Sequence, residues 1–283
     1  MKFYKYCGAG NDFVLLENFD GALKPAQLPE LARRLCDRHF GVGADGLMVV
    51  EPPRAGGDCS LRFLNADGSL AEMCGNGARC LCRHCFDRGL SGDAPRLETD
   101  AGLVVGRRLA ADRYRLRLNR PSEFRQGLAL PAASPAPNGV DYVVLGENGI
   151  PHAVVPLDAA RLDGDRDSLR AFARALRHDA AFPKGANVNL CAVTAPDTVR
   201  LVTFERGVED FTLACGTGVG STVFALTRRG LVSGRGVRVL TDGGTLLADT
   251  DGVDLDLTGP AQRSFVGEFD DSLYLLYKED ELR

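Results

Sequence analysis

After Cys74 the apolar positions Ala78, Leu81, Cys82, Cys85 and Phe86 recur at i, i+3, i+4, i+7 and i+8, and Gly89 follows as a stop. That period predicts a helix of about three turns with Cys74 at its N-terminal end. The layout returns farther on, where Val219, Thr222, Val223 and Leu226 occupy the equivalent face, Gly230 the stop and Cys215 the start. Two further helical stretches, around Leu28 to Arg38 and Asp167 to Arg177, give each half one peripheral helix. Elsewhere the period drops to two. Arg113-Tyr-Arg-Leu-Arg-Leu118 alternates polar and apolar, and residues 237–257 (VRVLTDGGTLLADTDGVDLDL) read as strands joined by Gly-rich turns. The chain is therefore read as α+β.

The two cysteines stand 141 positions apart in a chain of 283. The same offset aligns Phe63 with Phe204, Gly8 with Gly149, Gly89 with Gly230 and Leu90 with Leu231, and a shift of one sets Phe40-Gly-Val-Gly-Ala-Asp45 against Phe182-Pro-Lys-Gly-Ala-Asn187. Such register points to an internal duplication. Between the halves, residues 121–139 (PSEFRQGLALPAASPAPNG) lack sustained periodicity and carry four prolines, so they are read as a loop-rich join.

Composition narrows the function. Hydrophobic residues at 45% and charged residues at 25% suffice for buried cores, and the length suggests two domains. A formal net charge of −4 argues against nucleic acid as the main partner. No signal-peptide core and no apolar run long enough to span a bilayer is found, so a cytoplasmic address without membrane attachment is expected. The nine cysteines are an odd number in a chain too large to need staples, and are read as reduced thiols.

A cysteine at a helix N-terminus has a specific chemical use. The exposed N–H groups of the first turn and the positive end of the helix dipole stabilise a thiolate, making it a base near neutral pH, and they also bind anions. Glycines at 75, 77, 216 and 218 would let a carboxylate approach those donors. If the two halves face one another, one sulfur lies on each face of the carbon attached to that carboxylate. One thiolate then removes a proton and the opposing thiol returns another from the other side, with the N–H groups stabilising the charge that develops.

The stretches Gly8-Ala-Gly-Asn-Asp-Phe13, Phe63-Leu-Asn-Ala-Asp-Gly68, Met73-Cys-Gly-Asn-Gly-Ala-Arg79, Pro151-His152, Asn187-Val-Asn189, Glu205-Arg-Gly207 and Ala214-Cys-Gly-Thr-Gly218 together resemble the diaminopimelate epimerases, in order and over essentially the whole chain. The resemblance implies two pseudosymmetric domains, each a β-barrel-like sheet wrapped around a central helix, with the last strand crossing back. That gives residues 1–120 plus 264–283 as an N-terminal domain with the Cys74 helix, and residues 121–263 as a C-terminal domain with the Cys215 helix. It implies catalysis without pyridoxal phosphate or any other cofactor, and without a metal. Cys74 and Cys215 would be the acid/base pair, with His152 and Glu205 adjusting them. Gly75, Asn76, Gly216 and Thr217 would hold the α-carboxylate. Asn11, Asn65, Asn189 and Arg206 would hold the rest of a small amino-acid substrate, the arginine as a bidentate partner for a distal carboxylate. Two positions depart from the family: many members carry glutamine where this chain has Gly46, and asparagine where it has Ile150.

Blander readings compete at several of these positions. A single Cys-Gly-X-Gly is more often a turn over a buried thiol, and its repetition in register is what favours chemistry. His152 is a candidate for an ordinary satisfied histidine, Glu205 with Arg206 for a surface ion pair, and the asparagines for turn or cap residues. Within Cys80-Leu-Cys-Arg-His-Cys85, Cys82 and Cys85 fall on the helix's apolar face while Cys80 and His84 point elsewhere, and no second Cys/His pair follows at zinc spacing, so packing is preferred. Gly216-Thr-Gly-Val-Gly220 and Gly8-Ala-Gly10 lack the full nucleotide-binding glycine pattern. Three functions follow from these residues: an epimerase of LL- and meso-diaminopimelate, a racemase of another amino acid such as histidine by the same mechanism, and a non-catalytic carboxylate-binding protein. The third is disfavoured because binding alone needs no matched acid and base. A homodimer is left open.

Overall fold

The run Phe13-Val-Leu-Leu16 contains no polar position, and it lies in a strand whose two faces are both covered. A computed structural model of the protein describes residues 1–71, 74–100, 102–130, 138–147 and 149–270. The chain divides into two compact units, one holding the described residues within Met1–Tyr114 and Pro260–Arg283, the other Arg115–Gly259. Of the tail assigned above to the first domain, residues 271–283 lie outside the described residues.

The first unit runs β1 (Lys2–Gly8), β2 (Asn11–Glu17), α1 (Leu28–Cys36), β3 (Gly46–Glu51), β4 (Cys59–Asn65), α2 (Gly75–Asp87), β5 (Arg96–Thr99) and β6 (Gly102–Ala110), followed by β7 (Arg113–Arg117), which leads into the second unit. Strand β1 pairs antiparallel with β2, β2 parallel with β3, β3 antiparallel with β4, β4 parallel with β5, and β5 antiparallel with β6. Leu28, Leu31, Ala32, Leu35 and Cys36 of α1 share a core with Val14, Leu16, Leu47 and Val49, so this helix covers the outer face of the sheet. Helix α2 packs against β1, β2, β5 and β6. Because strands meet it from several sides, β2 and β3 are apolar on both faces and show no alternation.

The burial of α2 corrects one expectation. Cys80 and His84 do not point away from a single apolar face: both are fully buried, as are Cys82 and Cys85. A helix inside a wrapped sheet has no solvent side. The buried imidazole is accommodated by the Tyr6 hydroxyl at 3.3 Å and Glu17 Oε1 at 3.0 Å, and burial pushes His84 down to about 4, so it is neutral at physiological pH. Cys85 Sγ lies 3.2 Å from Cys59 Sγ in the same interior.

The second unit continues with β8 (Pro121–Leu128), β9 (Val140–Leu145), β10 (Pro151–Pro156), α3 (Ala159–Leu162), α4 (Arg166–Arg177), β11 (Asn187–Ala195), β12 (Thr198–Phe204), β13 (Phe211–Thr212), α5 (Gly216–Arg228), β14 (Val237–Thr241), β15 (Gly244–Thr250) and β16 (Leu255–Pro260). Its pairing sequence repeats that of the first unit: β9 antiparallel to β10, β10 parallel to β11, β11 antiparallel to β12, β12 parallel to β14, and β14 antiparallel to β15. Strand β8 lies along β9 just as β17 (Gln262–Glu268) returns to lie along β1. The duplication seen in the sequence is thus also one of topology. Asp165 caps α4 by accepting from Ser168 N at 2.8 Å, and the helix buries Leu169, Ala173 and Leu176 against the sheet. Both central helices end at a left-handed glycine, Gly89 (φ +69°) and Gly230 (φ +70°), where a Cβ would be strained.

The join between the halves also needs correction. Residues 121–128 are not loop but strand β8, a largely exposed element paired with β9, and Pro121 sits at its first position, where a missing N–H is tolerated. The remaining prolines of the join fall within residues 131–137, outside the described residues. Among the described residues no helix is long and apolar enough to cross a membrane.

Candidate functional site

Strands β1 and β2 are joined by two residues, Ala9 and Gly10, with φ of +56° and +83°. Positive φ at both positions gives the tight hairpin whose twist matches its strands, at some strain for the alanine. Gly8 closes this hairpin against the first turn of α2, where a Cβ would come within 3.0 Å of Asn76 O and 3.2 Å of Cys80 Sγ. The close approach delivers Asn11, the first residue of β2, to the helix start.

Cys74 is the N-cap of α2, in extended conformation and half-buried. Its Sγ donates to Asn11 Oδ1 at 3.4 Å, and Asn76 Nδ2 donates to the same oxygen at 3.5 Å. Asn11 Nδ2 in turn donates to Asp45 Oδ2 at 2.6 Å. Asp45 and Asp12 share Arg38, and Asp12 also pairs with Lys5 at 2.7 Å. Burial alone would raise Asp12, but its hydrogen bonds from Arg38 and Lys5 outweigh that and hold it at about 2. Cys74, Gly75, Asn76 and Asn11 are therefore gathered at one point, on a base of fixed ion pairs.

Asn65 is not part of this cluster. It is exposed at the end of β4 opposite Gly46, and its Nδ2 donates to Ser69 Oγ at 2.9 Å within a tight turn. Gly46 itself is tightly enclosed: a Cβ there would lie 2.7 Å from Phe63 Cε2 and 2.8 Å from Leu64 O.

In the second unit Cys215 is the N-cap of α5, also extended. Its Sγ accepts from Gly218 N at 3.4 Å and lies 3.5 Å from Thr217 Oγ1. Gly218 has a packing reason rather than an open face: a Cβ would fall 2.5 Å from Asn189 Oδ1 and 3.2 Å from Thr203 Oγ1. Glu205, at the end of β12, accepts from Thr212 Oγ1 at 2.5 Å. Burial raises its carboxyl above the ordinary range, opposed by hydrogen bonds from Thr212 and Cys215.

His152 on β10 is fully buried. Asn189 Nδ2 lies 3.1 Å from its Nδ1 and 3.5 Å from Ala153 O, while Asn189 Oδ1 accepts from Thr203 Oγ1 at 3.0 Å. With the amide so turned, Nδ1 accepts and the ring proton sits on Nε2. Nε2 is buried with no hydrogen-bond partner among the described residues. Burial pushes the ring down to about 3, so it is a neutral imidazole. Asn189 is thus engaged at both ends of its amide. Arg206 is half-buried and makes no ion pair with Glu205; its Nη1 donates to Lys184 O at 2.9 Å and its backbone N to Asn187 Oδ1 at 2.8 Å.

Sequence reasoning missed Thr203, Thr212, Asp45 and the burial of Arg79. Arg79 stood inside a quoted motif, but nothing in the pattern said that its side chain turns inward. The two threonines carry no local signal, since what they hold is brought from other strands.

The diaminopimelate epimerase family profile matches residues 3–112 and 144–263. The diaminopimelate epimerase of Aquifex aeolicus is 35% identical over 96% of this chain and 99% of its own. That of Laribacter hongkongensis is 39% identical over 95% of this chain and 98% of its own. The crystal structure of the Bacillus anthracis phenazine biosynthesis protein of the PhzF family superposes with a TM-score of 0.70 at 14% identity, over 95% of this chain and 99% of that one, a likeness of fold.

Proposed function

The chain belongs to the diaminopimelate epimerase family, and from that premise we propose that it interconverts LL- and meso-2,6-diaminopimelate by moving one α-proton between Cys74 and Cys215. It is an isomerase acting on a small molecule, and the reaction belongs to lysine and cell-wall precursor synthesis, in the cytoplasm. One thiolate takes the α-proton from one face of the substrate, and the other thiol delivers a proton to the opposite face. First-turn N–H groups of Gly75, Asn76, Gly216 and Thr217 hold the α-carboxylate and stabilise the charge that grows on it. The carbanion needs no further electron sink in this scheme. Glu205 shares a proton with Cys215, and His152 supplies a neutral, buried imidazole whose direction Asn189 sets. Asn11 steadies Cys74, and Asn65 and Arg206 receive the far end of the substrate.

The observation that carries this reading is that each cysteine caps a buried central helix, in two units of the same topology. A binding protein would have no use for a thiol at both positions. The test is to incubate the purified protein with stereochemically pure LL-diaminopimelate in deuterated water. Meso product carrying deuterium at the inverted α-carbon is expected; recovery of unlabelled LL substrate rejects the reading.

A second reading, a racemase of an amino acid without a distal carboxylate, such as histidine, is favoured by Gly46. The Phe63 ring occupies the space that the glutamine of many relatives would need. Including histidine and other free amino acids in the same exchange experiment separates the two.

A further inference from the structure

Arg79 is the largest fully buried side chain among the described residues, at 0% exposure. Its three hydrogen bonds all go to uncharged acceptors: Nη2 to Asn76 Oδ1 at 2.7 Å, Nε to Pro260 O at 3.2 Å and Nη1 to Gly75 O at 3.3 Å. Among the described residues no carboxylate stands within ion-pair distance. A guanidinium cannot shed its charge at physiological pH, and a buried cation without a counter-charge is costly. Such an arrangement is expected where an anion arrives during function.

The geometry indicates which anion. Arg79 is a pure donor, so the Asn76 amide must turn its oxygen toward it, and the Nδ2 that remains points to the Asn11 oxygen on which Cys74 also rests. Among the described residues the titratable groups within electrostatic reach of the guanidinium are Cys74, Cys80 and Cys82. Cys80 faces Cys7 and Arg83 in addition, and burial pushes Cys80 and Cys82 up, whereas Cys74 is only half-buried at the helix start. The carboxylates nearest Asn11, Asp12 and Asp45, are bound to Lys5 and Arg38. The second helix has no equivalent: the position matching Arg79 in the duplication is Gly220, where a Cβ would lie 2.6 Å from Leu118 Cδ1 and 2.8 Å from Leu255 Cδ2.

We propose that Arg79 is a positioning residue for the Cys74 half-site, fixing the Asn76 amide and serving as built-in counter-charge for the anion, thiolate or substrate carboxylate, that forms at the start of α2. The two half-sites are then electrostatically unequal. Cys74 has a permanent cation behind it, Cys215 a carboxyl beside it, and of the two thiols Cys74 gives up its proton more readily.

The proposal builds on the two-thiol reading, yet it is tested without substrate. Alkylation of each cysteine by iodoacetamide is followed by peptide mass spectrometry across pH. In the native protein the Cys74 midpoint is expected about one pH unit or more below that of Cys215. Arg79→Met is expected to raise the Cys74 midpoint by about one unit, leave that of Cys215 in place and lower turnover at least tenfold, whereas Arg79→Lys keeps the Cys74 midpoint near its native value. A native Cys74 midpoint at or above that of Cys215 overturns the proposal, as does a folded Arg79→Met protein with an unchanged one. If Arg79→Met does not fold, the native comparison and Arg79→Lys still decide. Absence of diaminopimelate turnover with these titrations as expected would reject the substrate assignment and leave the role of Arg79 standing.

Discussion

Asn189 Nδ2 stands 3.1 Å from His152 Nδ1, and the other end of the same amide is held by the Thr203 hydroxyl at 3.0 Å. Three strand residues thereby set the direction of one buried ring. Burial holds His152 at about 3 against an ordinary 6.5. The unfolded chain therefore takes up this proton first as pH falls, and the stability the neutral ring contributes is fully present above about 6.5 and is lost between there and about 3. Asn189→Asp places a carboxylate against Nδ1 and is expected to bring the ring's titration up toward neutrality, flattening the acid loss of stability. Since the neutral ring is the form proposed to act, kcat should fall on the order of ten- to a hundredfold. Histidine NMR titration with parallel turnover assays checks this; a ring that stays neutral with full activity removes His152 from the mechanism.

Glu205 offers the opposite sign. Burial raises its carboxyl above the ordinary 4.5, so the stability of the protonated form is fully present below about 4.5 and is lost as pH rises through the higher folded value. Glu205→Gln removes that loss. The variant should melt higher than the native protein at neutral pH and alike near pH 4, while its turnover falls because Cys215 loses its proton-sharing partner. Melting curves at the two pH values are sufficient, and a variant less stable at neutral pH would mean that the carboxylate is held by contacts that favour its charge.

The cysteines themselves give the sharpest loss. Cys74→Ala and Cys215→Ala each leave one face of the substrate without an acid or base, so epimerisation should fall below detection while the fold is retained, each thiol being a single N-cap position. Cys→Ser retains a donor but a poor base, and should support proton delivery without removal. Near-normal epimerisation by any single alanine variant would sink the two-base scheme.

How much of this was readable from the sequence depended on whether an element has a solvent side. Helices α1 and α4 were legible because their apolar stripes face one sheet, and α2 and α5 because a left-handed glycine closes each. Strands β2, β3, β9 and β10 gave no period of two, since they are covered on both faces and their apolar residues follow one another directly. Strand β8 was missed for the reverse reason: none of its residues is buried, and its proline and glycine look like loop. In the site, Cys74, Asn76 and Asn11 lie in recognisable glycine-flanked motifs. Thr203, Thr212 and Arg79 owe their importance to partners that only folding brings near.

Arg206 is the residue at which the proposed substrate is tested. Among the described residues its side chain makes one hydrogen bond, to Lys184 O at 2.9 Å, and it forms no ion pair with the adjacent Glu205. The backbone N bonded to Asn187 Oδ1 fixes where the side chain starts, while the guanidinium keeps donors to spare. A distal carboxylate is the group those donors suit, since carboxylate accepts a guanidinium fork two bonds at a time. Against this stands Gly46, where Phe63 leaves no space for a polar side chain. The arginine outweighs the glycine: losing a neutral amide contact costs about 1 kcal/mol, whereas a charge-assisted pair is worth about 1.5–3. Arg206→Ala is accordingly expected to lower kcat/KM for diaminopimelate on the order of a hundredfold, and to change α-proton exchange of a short amino acid without a distal carboxylate only a few-fold. Steady-state kinetics on both substrates make the comparison. Equal losses on the two would mean that Arg206 supports the fold of the site rather than reading the substrate, and the racemase assignment would then stand on the Phe63 ring.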